Sequence, residues 1–366
     1  MGVLFCTLYS NMTSPNDLEL LLGAARLAIR GHGGAEPNPM VGCVITNDDG
    51  VVVGSGYHHK CGEGHAEVNA IASAGDMTNG GTAYITLEPC NHRGRTLPCT
   101  QAILNAGIKR VVIGVKDPHT EAGGGAEFLK QAGLDVTIVN DETCRNLVAP
   151  FAYRLQTGLP WVICKWAQTV DGCIEPPKDG SPWISSPSSL RMVHRERGRV
   201  DAIIVGAGTV VSDNPLLTVR DATKRRTPIR VVIDPTIRTS PDSNIFNDDA
   251  PSLIAHGEGG DAFLYSSCKL ELPSKGDALD LAPLLRHLVN EFDATNVIVE
   301  GGATTFKHFF NQRLANELWI FTAPHEATHT PKFNMNDVVT DLTLHTTDTR
   351  TRDGDTVSRH RITYCQ

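Results

Sequence analysis

The spacing of apolar residues alternates between helical and extended periods as far as residue 139, a pattern typical of an α/β domain. Leu18, Leu21 and Leu22 keep helical spacing after a start signal at Ser14 and Pro15. Because helical and extended segments continue to alternate, we expect a mixed sheet with helices on both faces. The expected helices are 65–74, 99–106 and 125–132, and the expected strands are 41–45, 51–53, 83–87, 111–115 and 136–139.

The pattern restarts after a turn signal at 157–160, which predicts a second α/β domain with its own core. The expected strands are 161–167, 202–205, 229–233 and 297–299, and the expected helices are 187–197, 281–289 and one that begins near Thr304. Residues 221–226 and 235–249 are polar and rich in turn formers, so we expect them on the surface. We place the boundary within 153–158, which gives domains 14–155 and 158–366 after a loose extension at 1–13.

The charge balance argues against nucleic acid or an anionic membrane as a partner. The 366 residues include 41 acidic and 33 basic side chains. No apolar run reaches the length of about 18 residues that a membrane span needs.

The ten cysteines are spread along a long chain, and the first residues lack the basic and apolar regions of a secretory signal. We therefore expect a cytoplasmic enzyme in which cysteine and histidine serve a metal or catalysis.

The most specific pattern is a His-Ala-Glu run at 65–67, a Glu-Pro-Cys run that ends at Cys90, and Cys99. His65, Cys90 and Cys99 would bind one zinc ion and leave its fourth position open, as in catalytic zinc sites. Zinc in such a site lowers the pKa of water to about 7. Glu67 follows the histidine closely enough to carry protons to a leaving amine. The order matches the signature of nucleobase deaminases, with eight residues instead of two between the cysteines.

The residues alone leave two questions open: whether the zinc site is catalytic or structural, and whether the glycine-rich turns of the second domain bind a ligand. A structural zinc would need a fourth protein ligand, which Cys61 could supply, although Glu67 would then have no role. In the second domain, glycine-rich turns at 206–211 and 300–305 adjoin predicted strands, but neither carries the full Rossmann fingerprint. Backbone N–H groups at such helix starts can hold a phosphate. Tight packing alone would explain the glycines equally well.

Longer motifs extend these patterns over most of the chain. In the first domain they lie at 37–44, 56–58, 65–68 and 86–99, and in the second at 165–172, 183–186, 206–210, 213–220 and 299–302. Together they resemble the bifunctional deaminase and reductase family of riboflavin biosynthesis. The resemblance implies a cytidine-deaminase-like three-layer α/β/α domain followed by a dihydrofolate-reductase-like α/β domain. It also implies zinc-dependent deamination of a phosphoribosylaminopyrimidine, then NADPH-dependent reduction of its ribosyl group, in a chain that self-associates.

The resemblance also implies roles for individual residues. Asn38 and His58 would line the pyrimidine pocket, with His92 and Arg95 on the insert that approaches the substrate. The residues implied to face NADPH are Gln168, Trp183, Thr209, Asp213, Gly302, Ala303, Thr304, Thr305, Phe306, Lys307 and His308. Those implied to face the reductase substrate are Ser181, Arg197, Leu217, Arg220 and Glu300, with Lys165 and Asp171 in the same matched motifs. Arginines suit a ribose phosphate because the guanidinium binds phosphate oxygens in pairs, and Asp213 could orient or protonate the sugar.

Three departures from the family pattern leave alternatives open. A basic residue usual after Asp117 is missing, Gln168 stands where a small residue is common, and 325–330 replaces a lysine-containing run. One alternative is therefore a deaminase whose second domain is degenerate and non-catalytic. Another is an RNA-binding or base-editing deaminase, against which the acidic balance argues.

Overall fold

The computed structural model describes residues 15–92, 97–119, 123–175, 183–259, 268–276, 278–327 and 334–364. The chain divides into two compact units, Met1–Thr157 and Gly158–Gln366. The predicted extension at 1–13 lies outside the described residues.

The first unit contains a single mixed sheet in its described part. Its strands are β1 (Gly42–Thr46), β2 (Val52–Tyr57), β3 (Thr82–Leu87), β4 (Arg110–Val115) and β5 (Asp135–Ile138). Its helices are α1 (Pro15–Ala28), α2 (Ala66–Ala74), α3 (Cys99–Asn105), α4 (Gly125–Gln131) and α5 (Glu142–Thr157). The sheet order is β2-β1-β3-β4-β5, antiparallel where β1 pairs with β2 and β3, and parallel where β4 pairs with β3 and β5.

Helices cover both faces of this sheet, so the predicted three-layer arrangement is confirmed. Val44, Tyr84 and Val112 lie side by side on β1, β3 and β4 and pack against Ala24 of α1. The alternate residues of the same strands form a core with α2, α3 and α4, which includes Ile85, Ala70, Ile103 and Leu129. Strand alternation thus sends one set of side chains to each helical layer.

A buried ion pair joins α1 to the sheet. The Arg110 guanidinium donates to both carboxylate oxygens of Asp17, at 2.8 and 2.9 Å, and the Tyr84 hydroxyl donates to Oδ1 at 2.9 Å. Asp17 is 3% exposed, so its charge depends on these partners. The pair fixes the position of α1 over β3 and β4.

Helix α5 is absent from the sequence expectations, although its pattern was readable. Cys144, Leu147 and Val148 are buried along one face, at the three- and four-residue spacing of a helix. Pro150 lies inside the helix, where its ring and missing N–H ordinarily disfavour helical structure. Packing prevails here: the Cys144 sulfur covers Gly114, where an added Cβ would lie only 2.5 Å from it.

The second unit contains a nine-stranded sheet, a two-stranded sheet and five helices in its described part. Its strands are β6 (Trp161–Thr169), β7 (Ala202–Gly206), β8 (Ile229–Ile233), β9 (Ser252–His256), β10 (Cys268–Glu271), β11 (Ser274–Lys275), β12 (Ala278–Leu279), β13 (Asn296–Val299), β14 (Glu317–Ala323), β15 (Leu342–Arg352) and β16 (Asp355–Tyr364). Its helices are α6 (Pro187–Arg197), α7 (Ala207–Asp213), α8 (Ala282–Phe292), α9 (Ala303–Asn311) and α10 (Met335–Val338).

The order of the large sheet brings several strand ends together. It runs β10-β9-β8-β7-β13-β6-β14-β16-β15, parallel from β10 to β14, with β16 and β15 antiparallel. Strands β6, β7 and β13 are neighbours, so their carboxyl ends lie at one edge of the sheet. In open α/β sheets that edge is where ligands bind.

The expectation that 235–249 is a surface segment is wrong in part. Ile245 is fully buried and Phe246 is 8% exposed, within a short 3-10 turn at Asn244–Phe246. The segment folds inward and supplies hydrogen-bond acceptors to the buried Arg230. Its polar residues serve this buried contact, so polar composition alone did not indicate burial.

In the described part of the chain, no helix combines the length and apolar character that crossing a bilayer requires.

We predict opposite effects from adding a methyl group at two glycines of the first unit. At Gly42 a Cβ would lie 2.0 Å from the Ala24 carbonyl oxygen, so Gly42→Ala should lower the free energy of unfolding by about 3 kcal/mol. At Gly23, inside α1, nothing lies within 4 Å of an added Cβ, so Gly23→Ala should stabilise by up to about 1 kcal/mol. Chemical unfolding of the full chain measures both; equal effects would contradict the close approach of β1 to α1.

Candidate active sites

Three side chains predicted to bind zinc lie together in the first unit. The donor atoms of His65, Cys90 and Cys99 are all within 4.8 Å of one another. His65 Nδ1 is 3.2 Å from the Cys99 sulfur and 3.6 Å from the Cys90 sulfur. Ligands of a tetrahedral zinc with bonds of about 2.0–2.3 Å lie at similar separations. The donor set therefore fits zinc in both chemistry and spacing.

Element ends position each of these donors. His65 is the N-cap residue of α2, Cys99 is the first residue of α3, and Cys90 follows the end of β3. The Cys99 backbone N–H points to the Cys90 sulfur at 3.5 Å. Partial positive charge at the helix starts favours thiolate over thiol.

The two sulfurs differ in proton affinity. A hydrogen bond with Cys99, assisted by His65, lowers the pKa of Cys90 to about 4, although burial opposes the shift. The same hydrogen bond and burial raise the pKa of Cys99. One sulfur thus carries negative charge and the other its proton, and a cation would replace that proton.

Glu67 is buried beside this cluster. It lies in the first turn of α2 and is 4% exposed. Burial raises the pKa of Glu67 to about 7, against the opposing attraction of His65. A carboxyl group with this proton affinity can both accept and donate a proton near neutral pH. Cys61, the alternative fourth ligand, is exposed and does not belong to the cluster.

Two residues implied to line a pyrimidine pocket also lie here. Asn38 Nδ2 is 3.2 Å from His58 Nε2, and the His58 and His65 rings are 5.3 Å apart, edge to face. His58 Nδ1 lies 3.1 Å from the Gly64 carbonyl oxygen, and burial lowers the pKa of His58. The structure therefore brings both side chains together with the metal ligands.

The two residues predicted on the insert that approaches the substrate are not brought to the cluster by any described contact. His92 is exposed, and Arg95 lies outside the described residues. Any contact of Arg95 with a ligand stays a prediction.

Glu88 is a positioning residue that the sequence analysis left without a role. Its carboxylate accepts hydrogen bonds from the Asp117 N–H at 3.0 Å and from the Ala126 N–H at 2.9 Å. An added Cβ on Gly125 would lie 1.9 Å from the Pro89 carbonyl oxygen. The turn that carries Cys90 is thus held against the start of α4. In the sequence, the feature that could have indicated this role is a charged residue directly before Pro89 and Cys90.

In the second unit, three predicted residues form a buried charged cluster. Arg197, the last residue of α6, donates through Nε and Nη2 to the two oxygens of Glu300, at 2.7 and 2.9 Å. Lys165 Nζ on β6 lies 3.6 Å from Glu300 Oε2. Burial alone would raise the pKa of Glu300, but Arg197 and Lys165 lower it to about 2. The cluster keeps more positive than negative charge.

The two glycine-rich turns meet at the carboxyl ends of β7 and β13. The Glu300 N–H donates to the Ile204 carbonyl oxygen at 2.9 Å, and a Cβ on Gly206 would lie 2.4 Å from Thr305 Oγ1. Gly302 is the N-cap residue of α9 without a side-chain cap, and nothing lies within 4 Å of its Cβ position. The first N–H groups of a helix have no acceptor inside the helix, and no side chain caps α9, so this helix start suits a phosphate.

The other residues implied to face NADPH occupy varied positions. Gln168 is buried and accepts a hydrogen bond from Trp166 Nε1 at 2.7 Å, and Trp183 is 54% exposed. Thr209 is half-buried in α7, and Asp213 is exposed at its end. Thr304 and Lys307 are exposed, His308 is half-buried, and Ala303 and Thr305 are buried. The Phe306 side chain is fully buried, with its ring centroid 5.1 Å from that of Trp166, so its side chain belongs to the core.

The remaining substrate candidates occupy different positions. Leu217 is buried and Arg220 is exposed on the same loop. Asp171 accepts hydrogen bonds from Thr169 Oγ1 and the Ala327 N–H, which ties down its own turn. Ser181 lies outside the described residues. His194, which the sequence analysis missed, accepts the Arg220 N–H at 3.3 Å, one turn before Arg197 on α6.

Comparison with known families places each unit in a class. The family model of the cytidine and deoxycytidylate deaminase zinc-binding region matches residues 15–115. That of the RibD C-terminal domain matches residues 160–326. The chain is therefore an enzyme with a zinc-dependent deaminase unit and a reductase unit of the dihydrofolate-reductase-like fold, as the resemblance implied.

Full-length relatives identify the family. The riboflavin biosynthesis protein RibD of Aquifex aeolicus is 36% identical over 82% of this chain and 85% of its own length, and that of Escherichia coli is 37% identical over 82% and 86%. A crystal structure from Thermotoga maritima, titled a diaminohydroxyphosphoribosylaminopyrimidine deaminase and 5-amino-6-(5-phosphoribosylamino)uracil reductase, is 30% identical, with a TM-score of 0.79 over 95% of this chain and 99% of that one. The chain belongs to the RibD family of bifunctional riboflavin biosynthesis enzymes.

Proposed function

We propose that the first unit removes the amino group at C2 of a diaminopyrimidinone that carries a phosphoribosylamino group, and that the second reduces the resulting uracil's ribosyl group to a ribityl chain. The proposal rests on the metal cluster of the first unit, whose donor atoms fit zinc and which has no fourth protein ligand among the described residues. Glu67 is buried beside this cluster. The activity in the Thermotoga protein's title supports the same pair of reactions.

In the deaminase reaction, His65, Cys90 and Cys99 would hold the zinc. Bound zinc would act as a Lewis acid and lower the pKa of its water ligand to about 7. Glu67 takes a proton from the attacking water and later delivers it to the departing nitrogen. The new C–O bond replaces the C–N bond, and ammonia leaves. The pKa of about 7 for Glu67 allows the same carboxyl group to serve both transfers.

Asn38 and His58 would orient the pyrimidine in this reaction. Their mutual contact at 3.2 Å fixes the Asn38 amide near the metal ligands, where it can bind the ring's polar edge. The lowered pKa of His58 keeps its imidazole neutral, so the ring can donate or accept a hydrogen bond. His92 and Arg95 would approach the ribose phosphate.

In the reductase reaction, NADPH supplies hydride to C1′ of the ribosyl group. The uncapped start of α9, from Gly302 to Thr304, would hold a phosphate of the cofactor with its backbone N–H groups. The other residues that would contact the cofactor are Gln168, Trp183, Thr209, Asp213, Thr305, Lys307 and His308. Phe306 would act only through its backbone, because its side chain belongs to the core.

The charged cluster would bind the substrate phosphate. Arg197 uses Nε and Nη2 for Glu300, and its Nη1 has no hydrogen-bond partner among the described residues. That nitrogen, with Lys165 and the exposed Arg220, can donate to phosphate oxygens. Ser181 and Leu217 would contact the rest of the substrate. Asp213 would protonate the ring oxygen as the sugar opens.

This arrangement favours a working reductase over a degenerate second domain. The uncapped start of α9 offers a binding site for a cofactor phosphate. The assembled Arg197, Glu300 and Lys165 cluster offers one for the substrate phosphate. We also propose that the chain acts in the cytoplasm and self-associates, as the family resemblance implies.

We predict that Glu67→Gln abolishes ammonia release while zinc stays bound. Loss of general acid–base transfer should lower kcat by about 10²–10⁴-fold, because the amide keeps the shape but cannot move the proton. An ammonia assay and metal analysis measure the two properties separately. The matched control is Cys61→Ser, which should keep both zinc and activity. Loss of zinc in that control would indicate a four-ligand structural site instead.

We predict that Arg197→Gln lowers reductase kcat/KM by about 10- to 100-fold, mainly through KM. A charged hydrogen bond to phosphate contributes about 1.5–3 kcal/mol, which corresponds to that range. NADPH oxidation with the deaminated substrate measures it, and deamination by the same chain should be unchanged. Arg195→Gln, an exposed arginine on the same helix, is the control. No NADPH oxidation by the wild-type chain would leave the deaminase as the sole activity.

A further inference from the structure

Arg230 is a buried cation for which neither reaction has a use. It lies on β8, is 0% exposed and is the largest fully buried side chain in the described part of the chain. No ion pair joins it to a carboxylate there. Burying an unpaired charge is costly unless many hydrogen bonds compensate for it.

The acceptors of Arg230 come from two separate loops. Nη1 donates to the Leu216 carbonyl oxygen at 3.3 Å, to the Asn244 carbonyl oxygen at 3.4 Å and to Asn247 Oδ1 at 2.8 Å. Nη2 donates to the carbonyl oxygens of Asn247, at 2.6 Å, and Ala250. One guanidinium thus ties the loop 213–220 to the segment 244–250.

The loop 213–220 needs such support. Asn214 and Leu217 have φ values of 42° and 50°, in the left-handed region that a leucine rarely adopts. An open pocket of about 210 Å³, lined by Leu217, Thr218, Val219 and by Asp249 and Ala250 among others, lies beside the loop. Strained backbone persists only where its surroundings fix it.

Two further contacts hold the same loop at its ends. The Asn244 N–H and side-chain amide donate to Asn214 Oδ1 and to the Asn214 carbonyl oxygen, at 2.8 and 2.9 Å. At the other end His194 accepts the Arg220 N–H. Arg230 binds between them, at Leu216.

We propose that Arg230 is a positioning residue for the reductase, holding the loop 213–220 so that Leu217 and Arg220 meet the substrate. The proposal rests on the proposed reductase function. Arg230 itself is fully buried, so it acts through Leu216 and through Asn244.

The test compares Arg230→Met with the wild-type full chain. Methionine keeps similar length without charge, and such replacements of buried charges often leave the fold intact. We expect KM for the deaminated substrate to rise about tenfold or more, with deamination unchanged. The Arg220 backbone amide should exchange its hydrogen faster, because the loop opens more often. Arg230→Lys should restore part of the loss, and Arg195→Met, the same change at an exposed arginine, should change nothing.

Asn244→Ala keeps the test decisive if Arg230→Met does not fold. Its bonds to Asn214 are exposed, so its loss should leave the core intact while raising KM and Arg220 amide exchange in the same direction. Unchanged KM and unchanged exchange in a folded variant would overturn the proposal. A wild-type chain without reductase activity would refute the proposed function instead, and the exchange measurement would still decide whether Arg230 holds the loop.

Discussion

The mutual contact of one imidazole and two sulfurs at the starts of two helices is the constraint on which the deaminase unit depends. His65 Nδ1 lies within 3.6 Å of both the Cys90 and the Cys99 sulfurs, because β3 ends and α2 and α3 begin at the same edge of the sheet. Such a group is electrostatically incomplete without a cation. Glu67 lies beside this cluster in the first turn of α2, where burial raises its pKa to about 7.

The reductase unit depends on a different balance of charge. Glu300 is held between Arg197 and Lys165 at the carboxyl ends of parallel strands, where the net charge stays positive. Gly206 lets the Thr305 side chain approach the end of β7, and no side chain caps α9 at Gly302. A phosphate-bearing ligand therefore meets positive charge and backbone donors at one edge of the sheet.

Local patterns predicted what depends on neighbours in sequence. Apolar periodicity located the strands and helices of the first unit, and the spacing of His65, Cys90 and Cys99 indicated the metal ligands. Helix α5 was missed because Pro150 disfavours it locally and only packing against the sheet stabilises it. The burial of Phe306 and the inward course of 244–250 depend on distant partners, Trp166 and Arg230, that no short pattern contains.

X-ray absorption at the zinc edge of the purified full chain measures the metal's ligands themselves. We expect one imidazole nitrogen at about 2.0 Å, two sulfurs at about 2.3 Å and one further light atom from solvent. Three or four sulfur neighbours, or no bound zinc in folded protein, would contradict it.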